Sequence, residues 1–185
     1  MKVAKAIWFG GILFVLCTAT AHAGAAGGGG EADSNIEAPQ PTGAALPEIR
    51  DRAESMPIDQ RKDIDKRIGI TVERVNKDAT ARGQTTVAGR LATEFGVTTE
   101  ALLDQKGEHG LSWGELVIAY TLLANSKEKV TLLDLLSLRS DGLSWGAVAF
   151  GLRFHMEDLE DAIKAEGRVA MGLSKPDGKP AVIEK

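Results

Sequence analysis

The residues with the most chemical potential are two tryptophans, Trp113 and Trp145, each inside an identical string, Gly-Leu-Ser-Trp-Gly, at 110–114 and 142–146. Two indoles in equivalent places either fill a shared core or line a groove for a peptide, glycan or apolar ligand. Glu115 lies between Trp113-Gly114 and Leu116. A carboxyl in such apolar company could act as the general acid of a muramidase-like enzyme. Ser112 and Glu115 also form an S-x-x-E capping box, which explains the glutamate equally well. Ser112 and Ser144 each stand in a literal G-x-S-x-G string, but they read as helix caps, not nucleophiles, because nothing else in the sequence gives them a catalytic context. Trp113, Trp145, Glu115 and Tyr120 are therefore the candidate partner-binding or core residues. No catalytic, cofactor-binding or metal-ligating residue is assigned.

The remaining titratable residues form no recognisable site. His109 sits beside Glu108, and His155 precedes Met156-Glu157-Asp158. Neither belongs to an H-E-x-x-H motif, and there is no phosphate loop or dinucleotide fingerprint, so no metal or cofactor is expected. Glu157, Asp158, Glu160, Asp161 and Glu166 cluster on one predicted helix whose apolar stripe is Met156, Leu159 and Ile163. The acids are expected to be its wet face.

Helices must position these residues. Pro47–Ser55 predicts a short helix, and Pro57 opens a longer one. Along the latter, Ile64, Ile68, Val72, Val75 and Ala79 form one apolar stripe, weakened by Gly69 and ended by Gly83. Beyond Gly83 the chain reads as duplicated. Val97-Thr98, Leu102-Leu103 and Lys106 precede the first Trp string as Val130-Thr131, Leu135-Leu136 and Arg139 precede the second. Thr98, Thr131, Ser112 and Ser144 are candidate N-caps. Gly110 and Gly142 mark turns. Gly114 and Gly146 are costly inside a helix and imply close approach by a neighbouring backbone. A second spacing, Ala92, Gly96, Val97, Leu102, recurs as Ala149, Arg153, Phe154, Leu159. Three related helix pairs are thus expected between Thr85 and Gly167, the middle one with a longer turn at Asn125–Lys129. Leu116–Leu123 is apolar nearly all round, so its helix should be central. The expected fold is all-α, a small bundle of repeated helix-turn-helix pairs over 47–172, with an irregular or frayed tail at 173–185.

The ends set the compartment. Lys2 and Lys5, the apolar run Ala6–Thr18 and Ala21-His22-Ala23 read as a secretory signal over 1–23, with cleavage leaving Gly24 first. A retained membrane anchor is the alternative. Leu16 before Cys17 is a poor lipoprotein match, so the mature chain is expected to lack cysteine and disulfides. Residues 24–46, rich in Gly, Ala and Pro, read as a disordered linker. The net charge of −4 becomes −6 when the two leader lysines are removed. That balance disfavours nucleic acid and anionic membranes as partners.

The segment Thr85–Leu102 resembles the helix-turn-helix of bacterial regulators, which implies a packing geometry. DNA binding would need phosphate- and base-reading side chains on the second helix. That helix, Thr99–Lys106, carries two acids and one base. The Gly-Leu-Ser-Trp-Gly helices resemble small exported bacterial proteins of uncharacterised function, a resemblance that brings no activity or site with it.

The expected function is an exported, periplasmic or secreted, non-enzymatic helical-repeat interaction or scaffold module. Its partner would be a protein or another cell-envelope component, with no nucleic acid and no stable membrane span after signal cleavage. The alternative is a cell-envelope enzyme acting on peptidoglycan or another glycan. A pocket holding Glu115 with a second carboxylate would favour the enzyme, and a continuous closed core would disfavour it.

Overall fold

A computed structural model describes residues 46–183. The expected signal peptide and all but the last residue of the expected linker lie outside the described residues. The described residues contain eight helices and no strand: α1 (Leu46–Glu54), α2 (Ile58–Arg82), α3 (Gln84–Phe95), α4 (Thr99–His109), α5 (Trp113–Asn125), α6 (Leu132–Ser140), α7 (Trp145–Gly151) and α8 (Met156–Ala170). The fold is all-α, a small helical bundle. Leu46, which composition assigns to the linker, is the first residue of α1.

α2 is the longest helix and packs against α3, α5, α7 and α8. Pro57 occupies its cap position with φ −57°, the value a proline ring imposes. Its buried stripe is Ile64, Ile68, Thr71, Val75 and Ala79. Thr71 stands where the sequence pattern puts Val72, because α8 packs on that side: a Cβ on Gly167 would lie 2.8 Å from Thr71 Cγ2. Val72 is half-buried and faces α5.

α5 is buried over nearly its whole length, with Leu116, Ile118, Ala119, Thr121 and Leu122 fully covered. Its all-round apolar sequence leaves no face for water. It contacts α2, α3, α6 and α8. Thr98, Ser112, Thr131 and Ser144 each accept the backbone N–H three residues on, and so cap α4, α5, α6 and α7. α3 and α7 end alike. Gly96 (φ 67°) and Arg153 (φ 64°) both adopt the left-handed conformation. Val97 N–H then reaches Ala92 O at 3.0 Å, and Phe154 N–H reaches Ala149 O at 3.1 Å. These are Schellman closures that satisfy the last carbonyls. Arg153 is the one described non-glycine residue with positive φ.

The segment after Gly172 is irregular in backbone but docked rather than frayed. Ile183 is buried, and the backbone N–H groups of Asp177, Ala181 and Ile183 donate to side chains of α3, α8 and α5. Among the described residues no helix is long and apolar enough to cross a membrane.

Candidate binding cleft between the tryptophan turns

Each Gly-Leu-Ser-Trp-Gly string turns the chain into the first residues of a helix lying across α2. Gly114 N–H donates to Asn76 Oδ1 at 2.9 Å, and Gly146 N–H donates to Asp65 Oδ1 at 3.1 Å. Both bonds satisfy donors that a helix start leaves open. Neither glycine tolerates a side chain without adjustment. A Cβ on Gly114 would lie 2.6 Å from Val72 Cα, and one on Gly146 would lie 2.5 Å from Ile64 Cγ2. The helices approach this closely because these two positions have no Cβ, Gly114 against the backbone of α2 and Gly146 against its side chains.

The indoles are buried, Trp113 at 4% exposure and Trp145 at 7%. A cation from the preceding helix covers each ring: Lys106 Nζ lies 5.6 Å from the Trp113 centroid, and Arg139 Cζ lies 5.2 Å from that of Trp145. Arg139 also donates to Leu143 O, closing its turn. Neither indole N–H meets an acceptor among the described residues. Glu115 completes the capping box, its Oε2 accepting Ser112 N–H at 3.0 Å while Ser112 Oγ accepts Glu115 N–H at 3.2 Å.

Between the two turns runs an open cleft of about 490 Å³. Ile68, Val72, Ile118 and the Trp145 ring supply its apolar surface, and Asp65, Glu115 and Arg139 supply its polar edge. Glu115, Arg139 and Trp145 also line an adjoining hollow of about 330 Å³ with His109 and Leu136. Trp113 borders a separate hollow of about 470 Å³ with Asn76, Thr80 and Lys106. An apolar floor with a few convergent polar groups is the usual make-up of a ligand site.

Tyr120 is not part of this cleft. It is 9% exposed, packs on Phe95 with ring centroids 5.2 Å apart, and donates to Gln105 Oε1 at 2.5 Å. Burial raises its pKa, and the Gln105 bond partly opposes this. His155 stands at the start of α8 with its Nδ1 3.5 Å from Asp158 Oδ2. No group of three or more metal-ligating side chains occurs among the described residues.

The acidic cluster of α8 is divided, contrary to its expected place on the wet face. Asp161 is exposed, and Glu160 pairs with Lys164 at 2.6 Å and Arg67 at 3.0 Å. The Lys164 bond, aided by Arg67, holds the Glu160 carboxyl below its usual range. Glu166 is buried at 1% exposure, because it continues the inward row Leu159, Ile163, Ala170. Burial pushes its pKa up to about 7, against the Ala181 N–H bond that favours the charged form. Glu94 of α3 is buried at 3%. It too follows an apolar row, Val87 and Leu91.

Sequence reasoning missed Asp65, Asn76, Glu94 and Asn125. A signal existed for Glu94 and Glu166, since each is a carboxylate at core spacing on its helix. No local signal marks Asp65 or Asn76, whose partners lie 81 and 38 residues away. No family model, no curated protein and no solved structure matches the chain.

Proposed function

We propose that this chain is an exported, non-enzymatic helical-repeat interaction or scaffold module of the cell envelope, acting in the periplasm or outside the cell. The observation that carries this reading is the cleft between the two tryptophan turns, apolar in its floor and charged at its edge. The titratable groups around it are already committed to holding helix starts: Glu115 to Ser112, and Asp65 to Gly146. The duplicated turns then serve to build a rigid surface, and a protein or other envelope component is its partner.

Gly69 offers the test. It lines the cleft, and a Cβ built there meets nothing within 4 Å. A photo-crosslinking residue at Gly69 should capture one discrete envelope component in intact cells. The same residue at Gly107, also unobstructed but on α4, should not. Gly69→Leu should reduce partner binding by tenfold or more while leaving the melting curve near that of the parent. Equal labelling from both sites would overturn the reading. Mass spectrometry of the exported fraction should find a chain starting near Gly24.

One observation favours the enzyme alternative: Glu115 and Asp65, two carboxylates, line the same cleft. Paired carboxylates flanking a bond are what glycoside hydrolysis needs. Release of soluble fragments from purified peptidoglycan, abolished by Glu115→Gln, would replace the binding reading with the catalytic one.

A further inference from the structure

Three side chains from three helices grip the segment after α8 by its main chain. Asn125, at the end of α5, donates from Nδ2 to Ala181 O at 2.9 Å and accepts Ile183 N–H at Oδ1 at 2.8 Å. Glu166 Oε1 of α8 accepts Ala181 N–H at 2.6 Å, and Glu94 Oε2 of α3 accepts Asp177 N–H at 2.9 Å. The gripped sequence is itself periodic: Lys175-Pro176-Asp177 and Lys179-Pro180-Ala181. In each triplet the residue after proline donates its N–H to a buried glutamate. Proline fixes its own φ and pushes the lysine before it into extended backbone. The segment is thereby pre-organised for binding, which lowers the entropy cost of docking.

Little else holds this segment. Ile183 is its only buried residue up to 183, while Val182 is 82% exposed and Leu173 58%. Docking also has an opposing cost, because it dehydrates two carboxylates. Glu166 Oε2 is buried without a partner, and Glu94 and Asp177 repel the charge on Glu166. Main-chain readout with one apolar anchor is how extended peptides are recognised, and it is a poor way to weld a tail permanently to a core.

We propose that α3, α5 and α8 form a receptor groove for an extended Lys-Pro-x peptide, which residues 175–183 fill in cis and the same segment of a second copy fills in trans. The groove uses residues other than those of the Trp145 cleft, so the two proposals stand or fall separately. The full chain, carrying a specific protease site between Ser174 and Lys175, would be folded and then nicked. A labelled synthetic peptide of residues 175–185 stands for the second copy's segment. It should exchange into the nicked protein saturably, with the far-UV circular dichroism unchanged. Methylating the Ala181 amide nitrogen of the peptide removes the donor to Glu166 without touching the protein, and should weaken binding at least tenfold. Asn125→Ala should do the same to the unmodified peptide. The proposal is overturned if nicking melts the helices, if the cut segment never exchanges, if it leaves and the labelled peptide does not bind, or if the methylated peptide binds equally well.

Discussion

The two Gly-Leu-Ser-Trp-Gly turns have the same five residues and different moorings. The first is tied at both ends of its cap, because Ser112 and Glu115 bond reciprocally, and its glycine lies against the backbone of α2 at Val72. The second has the Ser144 cap alone, and its glycine lies against side chains, Ile64 and Asp65. The first starts α5, thirteen residues long; the second starts α7, seven residues long. Their acceptors on α2, Asn76 and Asp65, are eleven residues apart. That is about 16 Å along the helix and about 20° around it. One face of α2 thus offers two equivalent berths. The string specifies the turn, the cap and the close approach, and the flanking residues decide how firmly each helix is held.

Removing the indoles should have the largest effect. Trp→Ala at either position should cost about 3–5 kcal/mol. Trp113 should be the costlier, since it starts the longer helix and is the less exposed, 4% against 7%. A small domain has about 5–15 kcal/mol in total, so the double variant should come close to unfolding. Denaturant titration measures this, and acrylamide quenching of the parent should be slow. Single variants that melt normally, with readily quenched parent fluorescence, would make the indoles a binding surface and end the equivalence of burial.

A third side-chain acceptor sharpens the contrast. Glu166, like Asn76 and Asp65, accepts a backbone N–H from another element, but it does so in the buried interior. Its pKa is about 7 when folded, against 4.5 as the ordinary value. Below pH 4.5 both folded and unfolded states hold the proton and the group adds no pH dependence. As pH rises from 4.5 to 7 the unfolded chain releases the proton first, so stability falls; above 7 the loss is complete. The loss should be about 3 kcal/mol, because each tenfold difference in proton affinity between the two states is worth about 1.4 kcal/mol. Glu166→Gln should flatten this slope between pH 5 and 8. An unchanged slope would place the source elsewhere.

Much of this architecture is legible locally, and the illegible part has one cause. The caps at Thr98, Ser112, Thr131 and Ser144 are decided within four residues, so the sequence alone exposes them. Gly114 and Gly146 betray a close approach by being costly where they stand, but nothing nearby names Val72 or Ile64 as the neighbour. Charge groups Glu166 with the exposed acids, whereas its separations from Leu159, Ile163 and Ala170 put it on the inward row, and the spacing prevails. Asn125 reads as a turn residue, and its grip on Ala181 and Ile183 depends on where the tail returns, more than fifty residues later.

The glycines provide the next test in size. Alanine has the better helix propensity by about 1 kcal/mol, so any loss comes from crowding. At Gly114 the obstacle is Val72 Cα, which moves only if α2 moves; at Gly146 it is the branch methyl of buried Ile64, which is stiff in a helix, and the Asp65 carboxylate, which can rotate. Gly114→Ala should therefore cost about 2–3 kcal/mol and Gly146→Ala about 1–2 kcal/mol. Equal losses in denaturant titrations would mean that the two berths are equally rigid.

The smallest difference lies in the caps, and it bears on function. Ser144→Ala removes one bond, to Ala147 N–H, and should cost about 1 kcal/mol. Ser112→Ala removes the same bond to Glu115 N–H, and leaves Glu115 still able to accept Ser112 N–H, since that donor is backbone. The two serine losses should therefore be alike, and the extra strength of the first turn should appear only when Glu115 is also changed. Glu115→Ala should cost a further ~0.5–1 kcal/mol, with coupling to Ser112 in a double-mutant cycle. Glu115→Gln keeps the oxygen that the box needs and should be nearly neutral, since glutamine serves at that position. Stability and chemistry separate at this residue. If Glu115→Gln is neutral in denaturation and in partner capture, the carboxylate is there to hold a helix start. If it is neutral in denaturation and abolishes release of glycan fragments, the same carboxylate is a general acid, and the difference between the two turns is the difference between a scaffold and a catalytic site.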